Sequence, residues 1–147
     1  MRGRILDDAD GPVRLHLFDG KFNTGYIVKR FVIAPNEPNN SGLDCAAVLS
    51  TVPKDRVDAS GNLQWNWDDP TEVAWASTFA GGGGTVETVF NLTDPDNLIV
   101  DDLFIQAELN AAGGSSKIIN YFIELEQYDI DDWMGTIALA RDQASGA

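Results

Sequence analysis

The sequence predicts an all-β fold: a single-domain β-sandwich of jelly-roll or Greek-key type, with a short C-terminal helix as one option for the last segment. Three observations carry this expectation. Short apolar or alternating runs recur between Gly, Pro, Asn and Asp residues, the rhythm of strands and turns rather than of helical layers. Several of these runs alternate apolar and polar side chains with the period of two that a half-buried strand requires. The length of 147 residues, 44% of them hydrophobic, suits one core and would crowd two. One domain is therefore expected over 1–147, with 1–10 and 143–147 as flexible ends.

Taken in order, Val13, Leu15 and Leu17 alternate with Arg14 and His16 and predict a first strand with one wet face, closed by a turn at Asp19-Gly20. Tyr26 to Ile33 is nearly all apolar except for Lys29 and Arg30, which predicts a central strand with a bulge or one buried on both faces. Pro35 and Pro38 end it. Leu43 to Thr51, Leu63 to Trp67, Glu72 to Phe79 and Thr85 to Phe90 are further strand candidates, and the glycines 81–84 mark a hairpin tip. The clearest alternation comes late. Leu103, Ile105, Ala107 and Leu109 share one face, as do Ile119, Tyr121, Ile123 and Leu125, with Phe104 and Phe122 breaking the polar sides. Asp131 and Asp132 resemble a helix cap ahead of Trp133, Met134, Ile137 and Ala138, while alternation through Ile137 and Leu139 suits a final strand equally well.

Composition narrows function. Twenty-three acidic against ten basic residues give a net charge of −13, which repels phosphate backbones and anionic lipid, so neither a nucleic acid nor a membrane is an expected partner. The short apolar patch after Arg4 is broken by Asp7, Asp8 and Asp10, so no signal peptide is expected. Apolar runs stay well short of the ~20 residues that span a bilayer. Cys45 is the single cysteine, so no internal disulfide can form, and its small-residue apolar setting predicts a buried, inert thiol.

Chemistry-bearing patterns are weak. His16 is the sole histidine, sits on the wet face of a strand, and has no nucleophile motif near it. One Cys and one His cannot complete a four-ligand structural zinc site without several carboxylates. Calcium is the one cofactor to consider, on Asp7, Asp8 and Asp10 ahead of Gly11, but Phe18 occupies the place where a calcium loop carries its bidentate glutamate. A solvated acidic turn explains the same residues. Asp94 to Asn97 reads as an Asx turn. Asp68/Asp69, Asp101/Asp102 and Asp131/Asp132 would point to opposite faces in extended chain, the wrong geometry for paired acid and base work. Trp65 and Trp67, two apart, would share a face and serve as core, as a subunit interface or as a sugar platform.

The segments WNWDDPTEVAWAS (Trp65 to Ser77), TDPDNLIVDDLFI (Thr93 to Ile105) and INYFIELEQYDIDD (Ile119 to Asp132) together resemble small structural proteins of bacterial viruses, marine ones especially. The likeness runs from about Gly25 to Ala140 and contains no catalytic motif. It implies a capsid, decoration or tail-associated protein, located in the virion and made in the host cytoplasm, whose partners are copies of itself and other virion proteins. On that reading no enzyme is expected, and the contact residues are Trp65, Trp67, Phe104, Phe122 and Trp133. The alternative is a carbohydrate-binding module or host-attachment protein using its tryptophans and possible calcium.

Overall fold

Ile118–Asp129 holds the smaller of two antiparallel sheets together, because its inward side chains Ile119 and Ile123 are fully buried while both of its backbone edges are paired. The computed structural model describes residues 1–6, 11–18, 20, 23–38, 43–81, 85–110, 117–130, 137 and 140–144, with backbone alone at 80, 81 and 85–88. Among them are eight strands: β1 (Arg2–Leu6), β2 (Val13–Leu15), β3 (Thr24–Pro35), β4 (Asp44–Ser50), β5 (Glu72–Gly81), β6 (Thr85–Thr93), β7 (Leu103–Asn110) and β8 (Ile118–Asp129). They form a three-stranded sheet in the order β1-β8-β3 and a five-stranded sheet in the order β2-β7-β4-β5-β6. The expected all-β sandwich is observed. A short C-terminal helix, described at 137 and 140–144, settles the last segment as helix rather than strand.

The order is that of a jelly roll for all but one strand. Such a fold nests antiparallel pairs, first with last and so inward, and deals alternate pairs to opposite sheets. Here β1 pairs with β8, β2 with β7, and β4 with β5. β6 departs from the scheme: it stays in a hairpin with β5 instead of lying beside β3. β3 is thereby an edge of the small sheet and β6 an edge of the large one.

The core lies between the sheets. Val28, Phe31 and Ile33 of β3 and Ile119 and Ile123 of β8 meet Cys45, Ala47 and Leu49 of β4, Ala74 and Ala76 of β5, and Leu103 to Leu109 at alternate positions of β7. The largest of these, Phe31, Leu49, Leu103, Ile105, Ile119 and Ile123, have no solvent exposure, and each contributes roughly 1.5–3 kcal/mol of burial.

Four expectations need correction. Residues 1–10 are not a flexible end throughout: Arg2–Leu6 is β1, because Ile5 is buried opposite Ile119 and the terminal ammonium donates to the Ile123 carbonyl at 2.7 Å. The bulge in β3 is present, at the register shift between Val28 and Arg30, but the strand lies at a sheet edge and Arg30 is exposed, so it is neither central nor buried on both faces. Leu63 to Trp67 is not a strand. Leu63 makes one bridge to Val57, and the residues around it cross the outside of the large sheet as turns and irregular chain. At the C-terminal end, Gln143 and Ala144 belong to the helix. Asp142 of that helix accepts a hydrogen bond from Thr51 Oγ1 at 2.8 Å, and Arg141 reaches the Asn97 side chain and the Leu98 carbonyl, which ties the helix to the sandwich.

Candidate functional site

Register fixes what the large sheet shows to the outside. Since Cys45, Ala47 and Leu49 face the core opposite Thr78, Ala76 and Ala74, the alternating positions Ala46, Val48, Trp75 and Ser77 face outward. Yet Val48, Trp75 and Gln106 are buried. The β4–β5 connection, 51–71, covers them.

That covering segment is pinned by one buried arginine. Arg56 Nε donates to Glu72 Oε1 at 2.8 Å, Nη1 to Ser50 Oγ and the Lys54 carbonyl, and Nη2 to Thr71 Oγ1, while the backbone N–H of Arg56 donates to Gln106 Oε1 at 2.8 Å. Glu72 Oε2 accepts from Trp75 Nε1 at 2.7 Å and from the Asn66 backbone N–H at 2.9 Å. The guanidinium makes four hydrogen bonds and the carboxylate accepts on both oxygens, which suits a rigid clamp. Asp69 lies beside Arg56 and Lys54. Burial opposes its charge, but the Thr71 hydroxyl and N–H together with Lys54 outweigh that and hold its carboxyl below the usual range.

At the rim of this cover the aromatics come together. Trp65 stacks on Phe90 of β6 with ring centroids 5.6 Å apart, and Trp67 lies nearly parallel to the same Phe90, at 6.3 Å and 9°. Trp67 also tilts against Trp75 at 6.0 Å. Trp65 is half-buried and its indole Nε1 is buried without a hydrogen-bond partner. Trp67, in contrast, is 60% exposed, and Phe79, Phe90 and Leu92 are exposed next to it on β5 and β6. Val89 is 55% exposed although its register with Thr78 turns it toward the small sheet, since β6 lies at the edge of the larger, overhanging sheet. The result is an apolar ridge along a strand whose outer backbone edge has no strand beside it among the described residues.

The opposite side of the sandwich has its own exposed aromatic. Phe122 on β8 is 41% exposed and faces outward between Arg2 of β1 and Val32 of β3, with the Arg30 guanidinium 5.8 Å from its ring centroid. Arg2, Arg4, Val32, Ala34, Asn120 and Phe122 line a shallow depression of about 480 Å³ there.

The remaining candidates among the described residues have partners within the protein. Asp102 is buried, accepts the backbone N–H groups of Leu17 and Phe18 at 2.7 and 2.9 Å, and pairs with Arg14. His16 is solvent-facing as expected, with Nδ1 3.8 Å from Asp102. Cys45 is buried, bonded to Thr78 Oγ1 at 2.8 Å, and burial pushes its thiol up, away from the thiolate a nucleophile needs. Asp96 N–H donates to Asp94 Oδ1, the Asx turn predicted there. In each of the pairs Asp68/Asp69 and Asp101/Asp102, the second carboxylate is buried in hydrogen bonds and the first is not, so neither pair converges on a shared site. Among the described residues no three His, Cys, Asp or Glu side chains are placed to hold a metal. Asp7, Asp8 and Asp10, the calcium candidates, and Trp133 lie outside the described residues.

Of the predicted contact residues, Trp65 and Trp67 sit side by side on the ridge, Phe122 occupies the opposite face, and Phe104 is half-buried on the outside of β7 opposite Arg14. Sequence reasoning read the hairpin strand that carries Phe90 without naming Phe90 as a contact residue, stopped short of Leu92, and missed the Arg2, Arg4 and Arg30 cluster, which forms only when β1 and β3 flank β8. Compared with known proteins, the chain matches no family model, no curated protein and no solved structure.

Proposed function

We propose that this chain is a non-catalytic structural module of a virus particle, located in the virion after synthesis in the host cytoplasm and assembling with copies of itself and with other virion proteins. The observation that carries this reading is the ridge of Trp67, Phe90 and Leu92, with Phe79 on neighbouring β5, at the edge of β6 that no strand adjoins among the described residues. Apolar surface of this kind, continuous with an unpaired strand edge, marks a place where another chain packs. The buried clamp beneath it, Arg56 with Glu72, supports the same reading by holding the ridge in one shape before a partner arrives. Light scattering across a concentration series tests it. Oligomers are expected in the wild type and are reduced by Trp67→Ala, and the chain is expected in purified particles. A strict monomer at high concentration overturns the proposal.

The near-parallel planes of Trp67 and Phe90 favour a second reading, a carbohydrate platform, since flat aromatic surface stacks on sugar rings. Glycan-array binding lost on Trp67→Ala, with oligomeric mass unchanged, would select it.

A further inference from the structure

The two outer faces of the sandwich differ in charge. On the small sheet stand Arg2, Arg4, Lys29 and Arg30, four of only ten basic residues in a chain of net charge −13. Lys29 and Glu126 pair with each other at 3.0 Å. Among the described residues that leaves three exposed guanidiniums beside one exposed carboxylate, Glu124, around the half-apolar patch of Phe122, Val32 and Ala34. Arg4 is held in place by Asn36 Oδ1 at 3.0 Å, and Arg30 by the Phe122 ring.

The covered face of the large sheet is the reverse. Asp55, Asp58 and Asp68 are exposed on the covering segment, Asp68 directly after Trp67. The cations nearby are already engaged: Arg56 is buried against Glu72, Lys54 faces Asp69, and Arg14 pairs with Asp102. One face is therefore basic and aromatic, the other acidic and aromatic.

We propose that the small-sheet face of one copy, Arg2, Arg4 and Arg30 around Phe122, docks on the acid-flanked Trp67–Phe90 ridge of a second copy, front to back. Charge complementarity selects this occupant. Like faces brought together would set guanidiniums against guanidiniums or carboxylates against carboxylates, whereas unlike faces attract and also bury Phe122 against Trp67 and Phe90. The contact is heterologous, using a different patch on each copy, so it propagates into a ring or a filament instead of stopping at a dimer. This rests on the self-assembly reading above and specifies its geometry.

Two variants that each keep one face intact provide the test. Arg2→Glu/Arg30→Glu removes the basic face. Trp67→Ala/Asp68→Lys removes the ridge at two exposed positions. Circular dichroism checks that both fold. Sedimentation velocity should show wild-type oligomers that weaken with salt, and each variant alone as a monomer with self-affinity reduced at least about tenfold. A mixture of the two should give a one-to-one dimer that grows no further, because one intact pair of faces remains. Phe122→Ala should weaken assembly in the same direction. If wild type assembles while Arg2→Glu/Arg30→Glu assembles equally well, or if the folded variants do not combine when mixed, front-to-back docking is wrong and self-assembly by another surface stands. If the wild type never associates, both readings fall.

Discussion

Glu72 holds Arg56 with one carboxylate oxygen, at 2.8 Å, and Trp75 with the other, at 2.7 Å, so a single buried side chain joins the covering segment to the outside of the large sheet. Glu72→Ala would leave a buried guanidinium whose strongest partner is gone, since Asp69 approaches it only to 3.6 Å. Breaking one side of a buried pair costs about 3–5 kcal/mol. Denaturant unfolding should register a loss of that size. Glu72→Gln, which keeps the shape and one of the two acceptor oxygens but sets an NH2 where the other accepts, should lose less than Glu72→Ala.

Two tryptophans on the same surface differ in one bond. Trp75 Nε1 donates to Glu72, whereas Trp65 Nε1 is buried without a partner. Replacement by Phe removes a satisfied donor from Trp75 but an unsatisfied one from Trp65. Trp75→Phe should therefore be the more destabilising of the two, by about 1–3 kcal/mol, since it also takes from Glu72 Oε2 one of its two donors. Equal unfolding midpoints for the two variants would contradict this.

Strands were readable where alternation and register agree. The inward sets Leu103 to Leu109 and Ile119 to Leu125 fall on β7 and β8 as their period of two predicts. Leu63 to Trp67 misled because its alternation of Trp65 and Trp67 mimics a strand, whereas those side chains pack onto Phe90 from a covering loop. No local pattern distinguishes an aromatic pair in a sheet from one lying across it. β1 was hidden for another reason: five residues with one buried apolar side chain, Ile5, carry almost no periodic signal, and the strand exists because β8 offers it an edge. The same long-range pairing creates the arginine face, so the docking surface was the least legible part of the chain.

Acid should loosen the β2 end. Burial works against the charge of Asp102, but the N–H groups of Phe18 and Leu17 and the Arg14 guanidinium outweigh it and hold the carboxyl below its ordinary value of 3.8. Asp69 is depressed in the same direction. A carboxylate with a folded value below its unfolded one contributes stability that is complete above the unfolded value and disappears as pH falls through the folded one. Stability should thus be flat near neutrality and drop below about pH 4. Asp102→Asn, lacking the titrating group, should start less stable and lose less between pH 5 and pH 3, which unfolding curves across that range would measure.

Gly3 lies directly opposite Tyr121 on β8, and a Cβ built there would sit 2.5 Å from the Tyr121 hydroxyl and 2.8 Å from the ring carbon that bears it. Tyr121 is half-buried and packs against the core, and its rigid ring can clear the added carbon only by turning as a whole. Gly3→Ala should cost about 1–3 kcal/mol through overpacking. Gly25 provides the contrast, because the atom its Cβ would meet, at 2.6 Å, is the terminal Cδ1 of Leu98, which can rotate. Gly25→Ala should be milder. A double-mutant cycle separates clash from any general intolerance of β1: in a Tyr121→Ala background the atoms in the way are gone, and Gly3→Ala should lose most of its cost. An unchanged penalty there would show that the strand itself, and not the tyrosine, demands glycine.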